Sequence, residues 1–223
     1  MADHVAEWLC ALAEASKGDF AICLSGGSTP RQLYERLATP QIASRFPWSR
    51  VHFFWGDERL VPHDDPESNF GMAWETLLSR VPVPRDHIHP IPTEYQSAAQ
   101  DAAVYETILK HFYSAEELAP CRPLFDVTLL GIGEDGHTAS LFPGQPALDE
   151  QLRWALAVVG ANRIPRITLT FPALNSSRDV AFLATGLAKQ RIVERAESGD
   201  RSVPAGRVRP TGRLHWFMEF ATD

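Results

Sequence analysis

Apolar residues along the chain follow two rhythms in alternation. Val5, Trp8, Leu9 and Leu12 recur at spacings of three to four, which predicts an amphipathic helix over the first 17 residues, ending at Gly18. Phe20-Ala21-Ile22-Cys23-Leu24 is then a continuous apolar run of strand length, and it stops at Ser25-Gly26-Gly27-Ser28-Thr29-Pro30. Beyond that proline, Leu33, Tyr34 and Leu37 return to helical spacing, with Pro30 suited to a first helical turn. The strand, loop and helix recur in outline. Val51-His52-Phe53-Phe54-Trp55 reads as a strand and leads into a loop at Gly56-Asp57-Glu58-Arg59, a proline-bearing stretch and a helical segment from about residue 69 to 79. A second loop rich in proline (Pro82, Pro84, Pro90, Pro92) precedes a helix of about 97–113, and a strand over 125–130 runs into Gly131. Apolar runs at 167–171, 180–184 and 214–217 are expected to extend the same sheet, with a helix near 187–197 between the last two.

Strands that alternate with helices imply right-handed crossovers and parallel pairing. The expected fold is therefore α/β: a single three-layer, Rossmann-like domain over residues 1–223, its mostly parallel sheet covered by helices on both faces. Length agrees, since one α/β domain commonly reaches roughly 200–250 residues. With 44% hydrophobic and 22% charged residues, the composition argues against disordered, collagenous or disulfide-scaffold chains. Lys and Arg number 21 against 28 Asp and Glu, a net charge of −7, so no nucleic-acid partner is expected. No apolar run approaches a membrane span, and Met1-Ala2-Asp3-His4 does not open a leader-like segment. No membrane partner and a cytoplasmic location are expected. Cys10, Cys23 and Cys121 are odd in number and far apart, which favours free thiols over a disulfide or metal set.

In open parallel sheets, ligands bind where loops leave the carboxyl ends of the strands. Three polar loops qualify, at 25–30, 56–59 and 131–138. In the first, Gly26 and Gly27 let backbone amides approach an anion and Ser28 and Thr29 open a helix, as in a phosphate cradle. No lysine completes a nucleoside-triphosphate loop, and an ordinary helix start, with Thr29 as N-cap, would explain the same residues. Gly131-Ile132-Gly133-Glu134-Asp135-Gly136 fits the dinucleotide spacing formally. Pro143 and Gly144 interrupt the helix such a site needs, and Asp149 and Glu150 come too early for a ribose contact.

The same loop offers Asp135-Gly136-His137, in which a carboxylate can orient an imidazole poised as a general base. His4, His63 and His111 read as surface residues, and His87-Ile88-His89 lacks a third zinc ligand. Gly56-Asp57-Glu58-Arg59 brings two carboxylates and an anion-binding fork to a second strand end, with a surface ion pair as the competing reading. Lys189, in the first turn of a helix, sits against the helix dipole unless an anion is near, and Arg166 could add another cation.

Together, Leu24 to Pro30, Trp55 to Arg59, Ser68-Asn69-Phe70-Gly71, the long run from Gly131 to Gly144, Arg166 to Thr170, Gly186-Leu187-Ala188-Lys189 and Gly212 to Phe217 resemble the family of 6-phosphogluconolactonases and glucosamine-6-phosphate deaminases. The blocks cover essentially the whole chain, and the run ending in Pro143-Gly144 is the most specific. The resemblance implies hydrolysis of a sugar-phosphate lactone in the pentose phosphate pathway, without metal or cofactor. It further implies that His137 is the general base and Asp135 its orienting carboxylate. Asp57 would position the substrate, Arg59 and Lys189 would bind its phosphate, and Arg166 would belong to the substrate site. Deaminases of the family carry an aspartate-glutamate-tyrosine triplet where this chain has Asp57-Glu58-Arg59, and a phenylalanine-asparagine-glutamate run where it has Ser140-Leu141-Phe142, so the resemblance favours the lactonase branch. A deaminase or isomerase of the same fold, and a non-catalytic sugar-phosphate sensor, are the alternatives.

Overall fold

In the computed structural model, which describes residues 1–95, 97–160 and 164–220, the apolar runs become strands and the amphipathic stretches helices. Helix α1 (Ala2–Ala15) precedes strand β1 (Phe20–Leu24), and α2 (Ser28–Leu37) follows the glycine loop. A one-turn helix α3 (Pro40–Ala43) leads to β2 (Val51–Trp55), and the chain crosses Gly56 into β3 (Asp57–Arg59). Helix α4 (Asn69–Ala73) continues as a π-helical turn over Trp74–Leu78, and α5 (Ala98–Tyr113) leads to β4 (Phe125–Gly131). There follow β5 (Ala155–Val159), β6 (Pro165–Leu169), α6 (Phe171–Asn175), β7 (Ser177–Thr185), α7 (Gln190–Glu197) and β8 (Arg213–Glu219).

Five strands pair in parallel in the order β2-β1-β4-β7-β8. All five residues of β1 are buried, so both faces of this strand are covered. Register shows which helices cover the sheet. Phe112 of α5 packs on His52 and Phe54, which share a face with Leu214 and Trp216. Trp8 of α1 packs on His215 and Phe217, which point the other way. Among the described residues, no helix is long and apolar enough to cross a membrane.

Two sequence expectations change. The run at 167–171 does not extend the parallel sheet: β6 lies in a separate antiparallel sheet of order β3-β6-β5, and Phe171 already begins α6. Its residues alternate, Arg166 and Thr168 on one face and Ile167 and Leu169 on the other, so the run lacks the unbroken apolar character of a central parallel strand. The segment 56–59 is likewise not a loop throughout; Asp57 pairs with Thr168, Glu58 with Ile167 and Arg59 with Arg166.

Strand order places a topological switch between β1 and β4, because the chain moves from β1 to β2 on one side and later to β4 on the other. Two buried tyrosines hold strand ends on this edge. Tyr34 of α2 accepts the Ser25 N–H at 3.0 Å and donates to the Ser25 carbonyl at 2.7 Å, and Tyr105 of α5 makes the same two bonds with Trp55, each at 2.9 Å. Removing either hydroxyl strands a buried N–H and a buried carbonyl. Tyr34→Phe and Tyr105→Phe should each lose about 1–3 kcal/mol of stability, read as a lower unfolding midpoint; an unchanged midpoint would show that the strand ends do not need these clamps.

Candidate active site

Loops leaving β1, β4 and β7 converge at the switch point with the polar edge of the antiparallel sheet. They enclose a cavity of about 260 Å³ lined by Gly26, Gly27, Ser28, Thr29, Asp57, Arg59, His137, Arg166 and Lys189. Asp135 stands behind His137 rather than in the wall.

The loop after β4 is shaped by glycine. The Gly133 N–H donates to the His137 carbonyl at 3.0 Å and the Gly136 N–H to the Gly133 carbonyl at 2.9 Å, closing a tight turn with no helix beyond it. That geometry fits neither strand-to-helix dinucleotide binding nor any larger residue at two positions. A Cβ on Gly133 would overlap the His137 imidazole, and Gly136 combines a φ of +83° with a neighbour, Val203, that a Cβ would strike. The turn brings His137 Nδ1 to 2.5 Å from Asp135 Oδ1, and the His137 backbone N–H donates to the same oxygen at 3.1 Å. Partial burial disfavours the Asp135 carboxylate, but these bonds and the imidazole outweigh it and hold its pKa below the ordinary value. Phe142 neighbours both His137 and Arg166, its ring centre 4.7 Å from that of the imidazole and 5.7 Å from the guanidinium.

The loop after β1 departs from the ordinary helix start that would have explained its residues without a ligand. Gly27, not Thr29, is the N-cap of α2, with a φ of +105°. The Thr29 hydroxyl instead meets that of Thr185 at 2.9 Å, tying this loop to the end of β7. Gly26 is needed for a close approach: Asn69 Oδ1 occupies the space a Cβ would take. No side chain caps the first N–H groups of α2, and Ser28 and Thr29, which open the helix, line the cavity, an arrangement suited to an anion.

Asp57 is buried. Its Oδ2 accepts from Ser140 Oγ at 2.6 Å, its backbone carbonyl accepts from Asn69 Nδ2 at 2.8 Å, and Arg166 Nη1 lies 4.0 Å from Oδ2. Arg59 Nη1 donates to the Glu67 carbonyl. Among the described residues, the buried Nε atoms of Arg59 and Arg166 have no hydrogen-bond partner. Burial presses the Arg166 pKa below that of free arginine; Asp57 opposes the shift and Arg59 adds to it. Lys189 immediately precedes α7 after a turn at Gly186, where φ is +90°.

Sequence reasoning did not single out Asn69, Ser140 or Phe142 as site residues. All three lie in blocks that carried the family resemblance, which is the only sequence signal marking them. His63, read as a surface residue, is half-buried against Phe70, its Nε2 3.0 Å from the Ile91 carbonyl.

Comparison with known proteins agrees with this architecture. The chain is 42% identical over 208 residues to a 6-phosphogluconolactonase of Synechocystis sp., covering 92% of this chain and 84% of the relative. The crystal structure of a 6-phosphogluconolactonase from Thermotoga maritima superposes with a TM-score of 0.83 at 32% identity, over 98% of this chain and 94% of that one. A monomeric glucosamine-6-phosphate deaminase, only 15% identical, superposes almost as well, with a TM-score of 0.81 over 98% of this chain and 92% of that one, so the fold alone does not separate the two branches. Residues 1–216 match the glucosamine-6-phosphate isomerases/6-phosphogluconolactonase family, and the chain belongs to it.

Proposed function

We propose that this chain hydrolyses 6-phospho-D-glucono-1,5-lactone to 6-phospho-D-gluconate, with His137 as general base. The observation that carries the reading is the Asp135–His137 pair, 2.5 Å apart, on a cavity that also presents Arg59, Arg166 and Lys189. With Nδ1 engaged by Asp135, His137 Nε2 is the atom left to take a proton from water. The water oxygen adds to the lactone carbonyl carbon and the carbonyl electron pair moves onto its oxygen. As that intermediate collapses, the ring C–O bond breaks and the imidazolium returns its proton to the departing oxygen. An internal ester is already an activated acyl group, so a positioned water and base suffice without a covalent enzyme intermediate. Asp135 stabilises the imidazolium that forms, and its depressed pKa keeps it ionised.

Arg59, Lys189 and the N-terminus of α2 are assigned to the substrate phosphate, and Asp57 with Arg166 to positioning the lactone. Identity to 6-phosphogluconolactonases, and a third cation at Arg59 where the deaminases of the family carry tyrosine, support this branch. The deciding experiment measures hydrolysis of freshly generated lactone, corrected for spontaneous opening, alongside ammonia release from glucosamine 6-phosphate. Lactone turnover without ammonia is expected; ammonia release without lactone turnover would assign the chain to the other branch, and ligand binding without either would make it a sensor.

His137→Asn should keep the fold by circular dichroism and lower kcat by about 10²–10⁴, the contribution of a positioned acid–base group. Wild-type rate should fall toward acid pH, because only neutral imidazole accepts a proton, and the variant should lose that dependence. A variant that retains the acid limb would move the base elsewhere.

Lys189→Ala should raise KM with little change in kcat, since a cation on the remote phosphate binds ground and transition states alike. Normal KM together with equal use of unphosphorylated gluconolactone would remove Lys189 from the site.

Gly133→Ala should displace the imidazole rather than the backbone, since the clash falls on a side chain. Its expected signature is a kcat loss close to that of His137→Asn with a near-normal unfolding midpoint; wild-type turnover would show that the loop tolerates a Cβ.

A further inference from the structure

Asp57 and Arg166 are oppositely charged, both largely buried and in the same cavity wall, yet they do not touch. Arg166 Nη1 lies 4.0 Å from Asp57 Oδ2, well beyond the roughly 2.7–2.9 Å of a charge-assisted hydrogen bond. The oxygen that faces the guanidinium is held by a different donor: Ser140, fully buried, places its hydroxyl 2.6 Å from Oδ2. Ser140 is itself fixed. Its backbone N–H donates to Thr168 Oγ1 at 3.1 Å, and Thr168 is the residue paired with Asp57 across β3 and β6. The circuit from Asp57 across the sheet to Thr168, on to Ser140 and back to the Asp57 carboxylate holds all three groups in one register. Asn69 braces the other side, its Nδ2 donating to the Asp57 carbonyl and lying 3.4 Å from Oδ1.

We propose that Ser140 is a positioning residue that keeps Asp57 and Arg166 from collapsing into a contact ion pair, so that the guanidinium remains available to the substrate. The proposal rests on the lactonase reading for its kinetic consequence and on geometry alone for the spacing. A buried carboxylate deprived of a neutral donor takes the nearest charged one, since an unsatisfied buried acceptor is costly. Here that donor is Arg166, which would be drawn from the ligand onto Asp57.

The test is Ser140→Ala, with Ser140→Cys as a variant that keeps the side-chain shape but supplies only a weak donor. In the crystal structure of either variant, Arg166 Nη1 should approach Asp57 Oδ2 to about 3 Å; a separation still near that of the parent protein overturns the proposal whatever the activity. In kinetics, Ser140→Ala should lower kcat/KM at least tenfold, with Ser140→Cys between it and the parent. Asp57→Asn removes the charge that pulls on Arg166, so adding Ser140→Ala to it should cost less than a further threefold, whereas independent losses would multiply. Full activity in Ser140→Ala, or losses that multiply, would also overturn it. Failure of the parent protein to hydrolyse lactone would sink the functional reading, while the Asp57–Arg166 distance in the variants would still decide the role of Ser140.

Discussion

Gly56 ties the two sheets together, and the cavity depends on that tie. Its N–H donates to the Leu24 carbonyl at 2.9 Å, at the end of β1, and its own carbonyl accepts the Leu169 N–H at 2.8 Å, at the end of β6. On one side of this residue the chain belongs to the parallel sheet; on the other it enters the antiparallel one. Asp57, Arg59 and Arg166 therefore stand beside the loops of β1 and β4 although they belong to a different sheet. Breaking the tie would strand two buried backbone groups, each worth about 1–3 kcal/mol, and would separate the wall that holds Arg59 and Arg166 from the wall that holds His137.

The three residues after Gly56 show how one strand builds both a site and its support. Successive side chains of a strand point to opposite faces, so Asp57 and Arg59 line the cavity while Glu58 does not. Glu58 is buried and accepts the backbone N–H groups of Arg59, Asn69 and Phe70, each at 2.8 Å, and the Ser68 hydroxyl at 3.1 Å. Burial raises its pKa, and the backbone donors from Asn69, Phe70 and Arg59 oppose that shift. The carboxylate thus caps α4, a helix too short to stand alone, and the capped helix returns Asn69 to Asp57. Reversing Asp57 and Glu58 in sequence would preserve composition and charge but put the capping carboxylate in the cavity.

Strands of the parallel sheet were legible because burial on both faces demands continuous apolar runs, and 20–24 and 51–55 are such runs. β3 was not, since three charged residues carry no hydrophobic rhythm and become a strand only through pairing with β6. β5 is an edge strand whose two alanines and leucine precede only two β-branched residues, Val158 and Val159, too short a run to separate strand from helix by periodicity. At the site, the glycine turn and the groups on strand ends could be read from chemistry and spacing. Ser140, Asn69 and Phe142 could not, because their roles arise from contacts with residues distant in sequence: Ser140 acts on Asp57 across 83 positions. Thr29 shows the converse, a residue ideal for capping whose hydroxyl is committed to Thr185 instead.

The histidines sort by their partners. His137 has a carboxylate on one ring nitrogen, while His52 has other histidines: its ring stacks on His87 at 3.9 Å and its Nδ1 lies 3.0 Å from His89 Nε2. Burial, then the neighbouring imidazoles, lower the pKa of His52 and push that of His89 down to about 4, despite opposition from Asp86 and, for His52, Asp19. A histidine whose pKa is depressed by folding contributes stability that is present above its unfolded value, about 6.5, and lost as pH falls toward the folded one. Both rings pack against Phe112 of α5; His52 belongs to β2, and the His89 backbone N–H donates to the Phe53 carbonyl of that strand at 2.9 Å. Acid therefore weighs on the packing of β2, whose last residue, Trp55, directly precedes the Gly56 tie.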